Sequence, residues 1–126
     1  LEDALGELVE NINLIKNTKV HLLIDEKYTQ QLKDNNIDLM IYRVVQEQLN
    51  NINKYAQATE IFITLKAKDG NLLLSISDNG VGFDISQKSK GIGLKNIESR
   101  VKFYSGNINI ISAPGQGCAL EVSITL

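Results

Sequence analysis

Two apolar, β-branched runs, Thr59–Lys68 and Asn71–Ser77, are separated by the dipeptide Asp69-Gly70. An Asp-Gly step between two such runs is a strong short-range signal for a hairpin, so the two runs are expected to be adjacent antiparallel strands. That pair limits the fold more than any other feature, because a sheet with one apolar face needs a second layer to cover it.

The covering layer is legible around the hairpin. Leu1, Leu5, Leu8, Val9, Ile12 and Ile15 recur at spacings of three and four, which predicts an amphipathic helix. Lys19–Asp25 reads as a short strand, followed by a polar connector through Asn36. From Asp38, a candidate cap, to Ala56 the pattern is helical, with Ile41, Val45, Leu49 or Gln48, Ile52 and Ala56 on one side. Leu94, Ile97, Val101 and Tyr104 mark another helix, ended by Ser105-Gly106. Asn107–Ser112 and Cys118–Leu126 are two last strands around Pro114-Gly115-Gln116-Gly117, a connection whose glycines fit a turn with positive φ. The order helix, strand, helix, hairpin, helix, hairpin predicts an α+β fold: a two-layer sandwich in which a mixed, mainly antiparallel sheet carries its helices on one face.

With 126 residues and 43% apolar content, the chain has material for one core. A net charge of -2 with scattered basic residues gives no footprint for nucleic acid or an anionic membrane surface. Apolar runs are far short of a bilayer span and no leader-like segment opens the chain. Cys118 is the only cysteine, which suits a reducing compartment and excludes a disulfide framework or a zinc cluster of cysteines within one chain. His21, the only histidine, lies in an apolar strand and reads as a packed or edge residue, without a chemical role. The chain starts at Leu1 and its only methionine is Met40, so it is expected to be part of something longer.

Chemistry concentrates between Ser75 and Val101. Asp78-Asn79-Gly80-Val81-Gly82 leaves the second hairpin strand abruptly, and Gly91-Ile92-Gly93-Leu94 opens the next helix. Glycines let the backbone approach a flat or charged ligand closely, and a helix start offers unpaired N–H groups to phosphate oxygens. A carboxylate at a strand end can accept a hydrogen bond from an exocyclic amine such as that of adenine, and repels the carbonyl oxygen of guanine. Asp-Asn-Gly is equally the composition of an ordinary tight turn, and Gly-Ile-Gly of a hinge. Upstream, Arg43, Glu47, Asn51 and then Lys54 or Tyr55 share the polar side of the long helix. A solvated face would look the same. Those residue types also suit phosphoryl transfer, with an amide oxygen from Asn51 for magnesium, Glu47 to take a proton from or orient a nucleophile, and Lys54 to neutralise phosphate charge. Ile85–Lys90 fits a short flap over a nucleotide.

Together these stretches resemble the ATP-binding domain shared by DNA gyrase, heat-shock chaperones, sensor histidine kinases and mismatch-repair proteins. Gln46–Ala56 is similar to the N-box of that superfamily, Asp78–Asp84 to its G1 box and Gly91–Leu94 to its G2 box; the wording is most similar to the nitrate-sensor-like subfamily of bacterial two-component histidine kinases. The resemblance covers about Val20 to Leu126. It implies a domain at 17–126 with residues 1–16 as the tail of a preceding dimerisation helix, and ATP and Mg2+ as cofactors. Asn51 would bind magnesium, Glu47 would assist transfer, and Asp78 would hold the adenine amine. Gly80 and Gly82 would wall the base, while Gly91, Ile92, Gly93, Leu94 and Lys54 would lie near the phosphates. Tyr55 stands where histidine is frequent, and Cys118 where threonine or serine commonly follows the last glycine pair near the base.

The implied reaction moves the γ-phosphoryl of ATP to a histidine on a dimerisation and phosphoacceptor domain absent from this chain, in a homodimer, and thence to a response regulator. His21 is followed by Leu22 rather than an acid, so the fragment is not expected to phosphorylate itself. The resemblance places the domain in the cytoplasm and leaves open whether the whole protein is anchored in the inner membrane. Two other readings share the boxes: an anti-sigma-type serine kinase, and a non-catalytic module that ATP merely biases.

Overall fold

The structure, a computed structural model, describes residues 2–15, 18–25, 35–53, 57–81 and 92–125. Its elements are α1 (Glu2–Ile15), β1 (Lys19–Ile24), α2 (Asn35–Asn51), β2 (Glu60–Lys68), β3 (Asn71–Asp78), α3 (Ile92–Phe103), β4 (Asn107–Ser112) and β5 (Cys118–Thr125). The strands form one five-stranded sheet in the order β1-β2-β3-β5-β4. β1 runs parallel to β2, and the other pairings are antiparallel. This is the mixed, mainly antiparallel sheet expected, with the parallel pair arising because β1 and β2 are joined through α2.

Alternation along the strands fixes which face is covered. Ile61, Ile63, Leu65 and Ala67 of β2 are buried, as are Leu72, Leu74 and Ile76 of β3 and Leu120, Val122 and Ile124 of β5. Leu5 and Val9 of α1, Met40, Ile41, Val44, Val45 and Leu49 of α2, and Ile97 and Val101 of α3 join the same core. Each of the valine, leucine, isoleucine and methionine side chains contributes about 1.5–3 kcal/mol by leaving water. The intervening strand positions, among them Phe62, Lys66, Leu73 and Glu121, point the other way and are exposed. The period of two carries on past the hydrophobic residues, so Asp78 and Cys118 occupy inward-facing positions at one end of the core. That phase is what positions the site.

Some boundaries differ from the sequence expectation. α2 begins at Asn35, so Asp38 sits in the first turn, where its carboxylate complements the helix dipole, instead of standing before it. The regular helix ends at Asn51, and Ile52–Asn53 continue in a wider, π-type turn of the kind often found beside functional sites. At the end of α3 the left-handed position is taken by Ser105, at φ 57°, and not by the adjacent glycine. Ser105 N–H donates to Lys102 O and Gly106 N–H to Val101 O, a Schellman closure. Gly106 is there for space, because a Cβ would stand 2.9 Å from both Ser123 O and Val101 Cγ1. Among the described residues no helix is long and apolar enough to cross a membrane.

Candidate functional site

Asp78 ends β3 between Ile61 of β2 and Cys118 of β5. Its side chain is buried, and Oδ1 accepts a 2.8 Å hydrogen bond from Gly80 N–H, two residues on. Its other oxygen, Oδ2, is buried without any donor. Burial raises the carboxyl above the usual aspartate range, and the Gly80 hydrogen bond offsets part of that rise. A buried carboxylate oxygen with nothing to accept is costly, and is the kind of atom that a ligand N–H or an internal water would satisfy.

Its register partner Cys118 leads to a further polar group, Gln48. Cys118 is a free thiol, raised to about 11 first by burial and then by the Asp78 charge, so it keeps its proton at neutral pH. Gln48, from the inward side of α2, brings its Nε2 to 4.0 Å from Cys118 Sγ. Gln48 Oε1 is buried and likewise without a donor. The turn before β5 seals this end: Gly115 and Gly117 take φ of 78° and 72°. A Cβ on Gly117 would run into the carbonyl oxygen of Asp78. The glycine pair thus serves a turn, as its sequence suggests, and also lets that turn close on β3.

Asn79, a member of the glycine-rich stretch, faces away from a ligand role. Its Oδ1 accepts from Thr59 N–H and Glu60 N–H at 2.9 and 3.0 Å, and its Nδ2 donates to Thr59 Oγ1 at 2.9 Å. It staples the exit of β3 to the entry of β2, which steadies the carboxylate beside it.

Glu47 and Asn51 lie one turn apart on α2, both half-buried. Glu47 is turned toward α3: Oε1 accepts from Asn96 Nδ2 at 3.2 Å, and Oε2 lies 3.8 Å from Arg100 Nε. Sequence reasoning did not single out Asn96 or Arg100, although their spacing of four puts them on one side of α3. Arg43 is exposed, and its guanidinium donates to Gln46 Oε1 at 3.3 Å. Leu94 is half-buried against the core. Of Ile92 and Gly93 only the backbone is described, as the opening of α3. Lys54, Tyr55, Gly82, Gly91 and the flap Ile85–Lys90 lie outside the described residues. Thus Asp78, Gly80 and Cys118 come together with Gln48 at one end of the core, while Glu47 is held against α3. Among the described residues there is no cluster of three or more His, Cys, Asp and Glu side chains suited to a metal ion.

Similarity to known proteins runs along the same elements. Residues 36–126 match the family described as histidine kinase-, DNA gyrase B-, and HSP90-like ATPase. The oxygen sensor histidine kinase NreB of Staphylococcus carnosus is 37% identical over 114 residues, 87% of this chain and 33% of that protein. The sensor protein VraS of Staphylococcus aureus is 29% identical over 126 residues, 99% of this chain and 36% of that protein. The chain therefore spans about a third of the length of these relatives. Among solved structures, the histidine kinase domain of a blue-light-activated histidine kinase from Erythrobacter litoralis superposes with a TM-score of 0.79 at 19% identity, covering 97% of this chain and 59% of that one. At that identity the match establishes the fold, the α+β sandwich read from the sequence. With the family matched over most of its length, the chain belongs to the histidine kinase-, DNA gyrase B- and HSP90-like ATPases.

Proposed function

We propose that this chain is the ATP-binding catalytic domain of a sensor histidine kinase in two-component signalling, and that it delivers the γ-phosphoryl of Mg-ATP to a histidine of a dimerisation domain and thence to a response-regulator aspartate. The observation that carries the reading is Asp78 Oδ2, a buried acceptor without a donor at the end of the central strand β3. An adenine amine would satisfy it, directly or through water, and a guanine carbonyl would not.

The remaining roles are assigned by the motif in which each residue stands. Gly80 N–H fixes the Asp78 carboxylate and, with Gly82, walls the base; Cys118 packs beside it. Asn51 supplies an amide oxygen to magnesium, which, when bound, neutralises phosphate charge. Phosphate oxygens and water would supply the rest of its shell, since magnesium at phosphate sites usually keeps several waters. Lys54, Tyr55 and the segment Gly91–Leu94 are assigned to the phosphate side. Glu47 accepts the proton that the attacking imidazole gives up as its nitrogen bonds to the γ-phosphorus and ADP leaves. Asn96 and Arg100 hold that carboxylate in place. Residues 1–16 are assigned to the junction with the dimerisation domain, although Leu5 and Val9 are buried in this core. The working state is accordingly a homodimer, with the domain in the cytoplasm.

The test is labelling of the protein, expressed with the coding sequence that precedes Leu1, by ATP carrying γ-32P. We expect label that is stable in alkali and lost in acid, as a phosphohistidine is. Acid-stable label would mark a hydroxyl acceptor and a serine kinase. ATP binding with no label at all would leave a nucleotide-gated module.

A further inference from the structure

The inward side of α2 and of the turn that continues it is apolar at Ile41, Val44, Val45, Leu49 and Ile52, and polar at one buried position, Gln48, which is 3% exposed. An amide in such a place loses its hydration, and only partners inside the protein can replace it. Gln48 finds one weak partner. Its Nε2 is directed at the Cys118 sulfur, 4.0 Å away, while its Oε1 has no donor. The only other buried side-chain oxygen or nitrogen in that condition among the described residues is Asp78 Oδ2. The two are not scattered, because Cys118 lies beside both: it is the register partner of Asp78 and it receives the Gln48 amide.

A core built for stability alone would carry leucine or methionine at position 48. Two orphaned acceptors around one cysteine, whose thiol is only a weak donor and bonds neither of them, are complementary to a group that brings N–H bonds. We propose that Gln48 is a further base-recognition residue, whose amide oxygen and Asp78 Oδ2 form a pair of buried acceptors that admits a 6-amino purine and rejects a 6-oxo purine. This rests on the ATP-binding reading above and adds a second selecting group to it. The exocyclic amine of adenine has two N–H bonds to give. The carbonyl of guanine would meet two acceptors and leave all of them unpaired, so discrimination rises with each. Cys118, neutral because burial and the Asp78 charge hold its proton on, adds no charge to disturb the pair.

The experiment measures calorimetric binding of ADP, of GDP and of the diphosphate of purine riboside, which carries hydrogen in place of the 6-amino group, to the wild-type chain and to Gln48→Met. Melting without nucleotide is recorded for both. Loss of one neutral hydrogen bond should weaken ADP roughly three- to tenfold. The preference for ADP over GDP should shrink with it, the purine riboside analogue should bind both proteins alike, and the variant should melt no lower than wild type. Unchanged ADP affinity in Gln48→Met would overturn the proposal. So would a loss shared by ADP and the analogue together with a lower melting point, since that pattern marks a merely structural amide. Wild-type protein that binds none of the three would instead remove the ATP reading itself. Should Gln48→Met not fold, the side-chain amide resonance of Gln48 in the wild type decides: it should shift with ADP and stay in place with the analogue, and an equal shift with both would overturn the assignment.

Discussion

Strand β3 leaves each of its ends through an aspartate followed closely by glycine, and the two ends have become different objects. At Asp69-Gly70 both residues take positive φ, 52° and 76°, as a two-residue hairpin turn demands. Asp69 is exposed, and a Cβ on Gly70 would meet nothing within 4 Å. At Asp78-Asn79-Gly80 the acid is buried with an oxygen to spare, the asparagine is consumed by the neighbouring strand, and another glycine, Gly117, presses against the aspartate backbone. The first aspartate is open to water, whereas the second has a buried oxygen that nothing in the fold satisfies. Composition is nearly the same at both; the inward phase of the strand and the close of the β4–β5 turn separate them.

Glycine replacement should separate the ends most. Gly70→Ala strains only a left-handed position and should cost about 1–2 kcal/mol. Gly117→Ala adds a collision with Asp78 O, raising the expected loss to about 3–5 kcal/mol. Denaturant unfolding of the two variants measures the gap, and equal losses would mean that β5 has room to move away from β3.

The carboxylates should differ next. Asp78→Asn is expected to weaken ATP by about 1.5–3 kcal/mol, roughly ten- to a hundredfold, while Asp69→Asn leaves affinity where it was. Stability should move in the opposite direction. Because the folded carboxyl titrates above its unfolded value, the ionised form is disfavoured in the fold. Stability without nucleotide therefore falls as pH rises from the ordinary aspartate range through the raised folded pKa. Asp78→Asn should consequently melt higher than wild type at neutral pH, with the advantage fading in acid; a variant that melts lower at pH 7 would show that the charge is compensated in a way the geometry does not reveal.

A smaller effect is expected at Asn79. Asn79→Ala removes three hydrogen bonds to Thr59 and Glu60 at an exposed site, for a loss of about 1–2 kcal/mol. Its ATP affinity should drop only a few-fold, because Asp78 keeps its Gly80 contact. A loss as large as that of Asp78→Asn would make Asn79 a ligand residue.

The strands and helices were legible because their side chains repeat with periods that water enforces, and the same periodicity placed Asp78 at the end of an apolar run. The glycine-rich stretches and the Glu47–Asn51 spacing were legible as residue types. What the sequence withheld is pairing at a distance. Whether Leu49 or Gln48 faced inward was left open by helical spacing, and both do; that Gln48 meets Cys118 across 70 residues is a tertiary fact. Asn96 and Arg100 reach Glu47 only once α3 lies along α2. Ser105 in the left-handed place, with Gly106 beside it, shows the same limit: composition named the turn, and packing against Ser123 and Val101 chose which residue did what.

One consequence of the unbroken run from Asn71 to Asp78 concerns length more than identity. With successive residues on opposite faces and no bulge in its register with β2 or β5, β3 works as a counter of eight steps between the turn and the acid. Adding or deleting a single residue would deliver Ser77 or Asn79 indoors and the aspartate to solvent, without altering any side chain in the site. Homologous chains that bind the same ligand are thus free to vary the letters of this strand far more readily than their number.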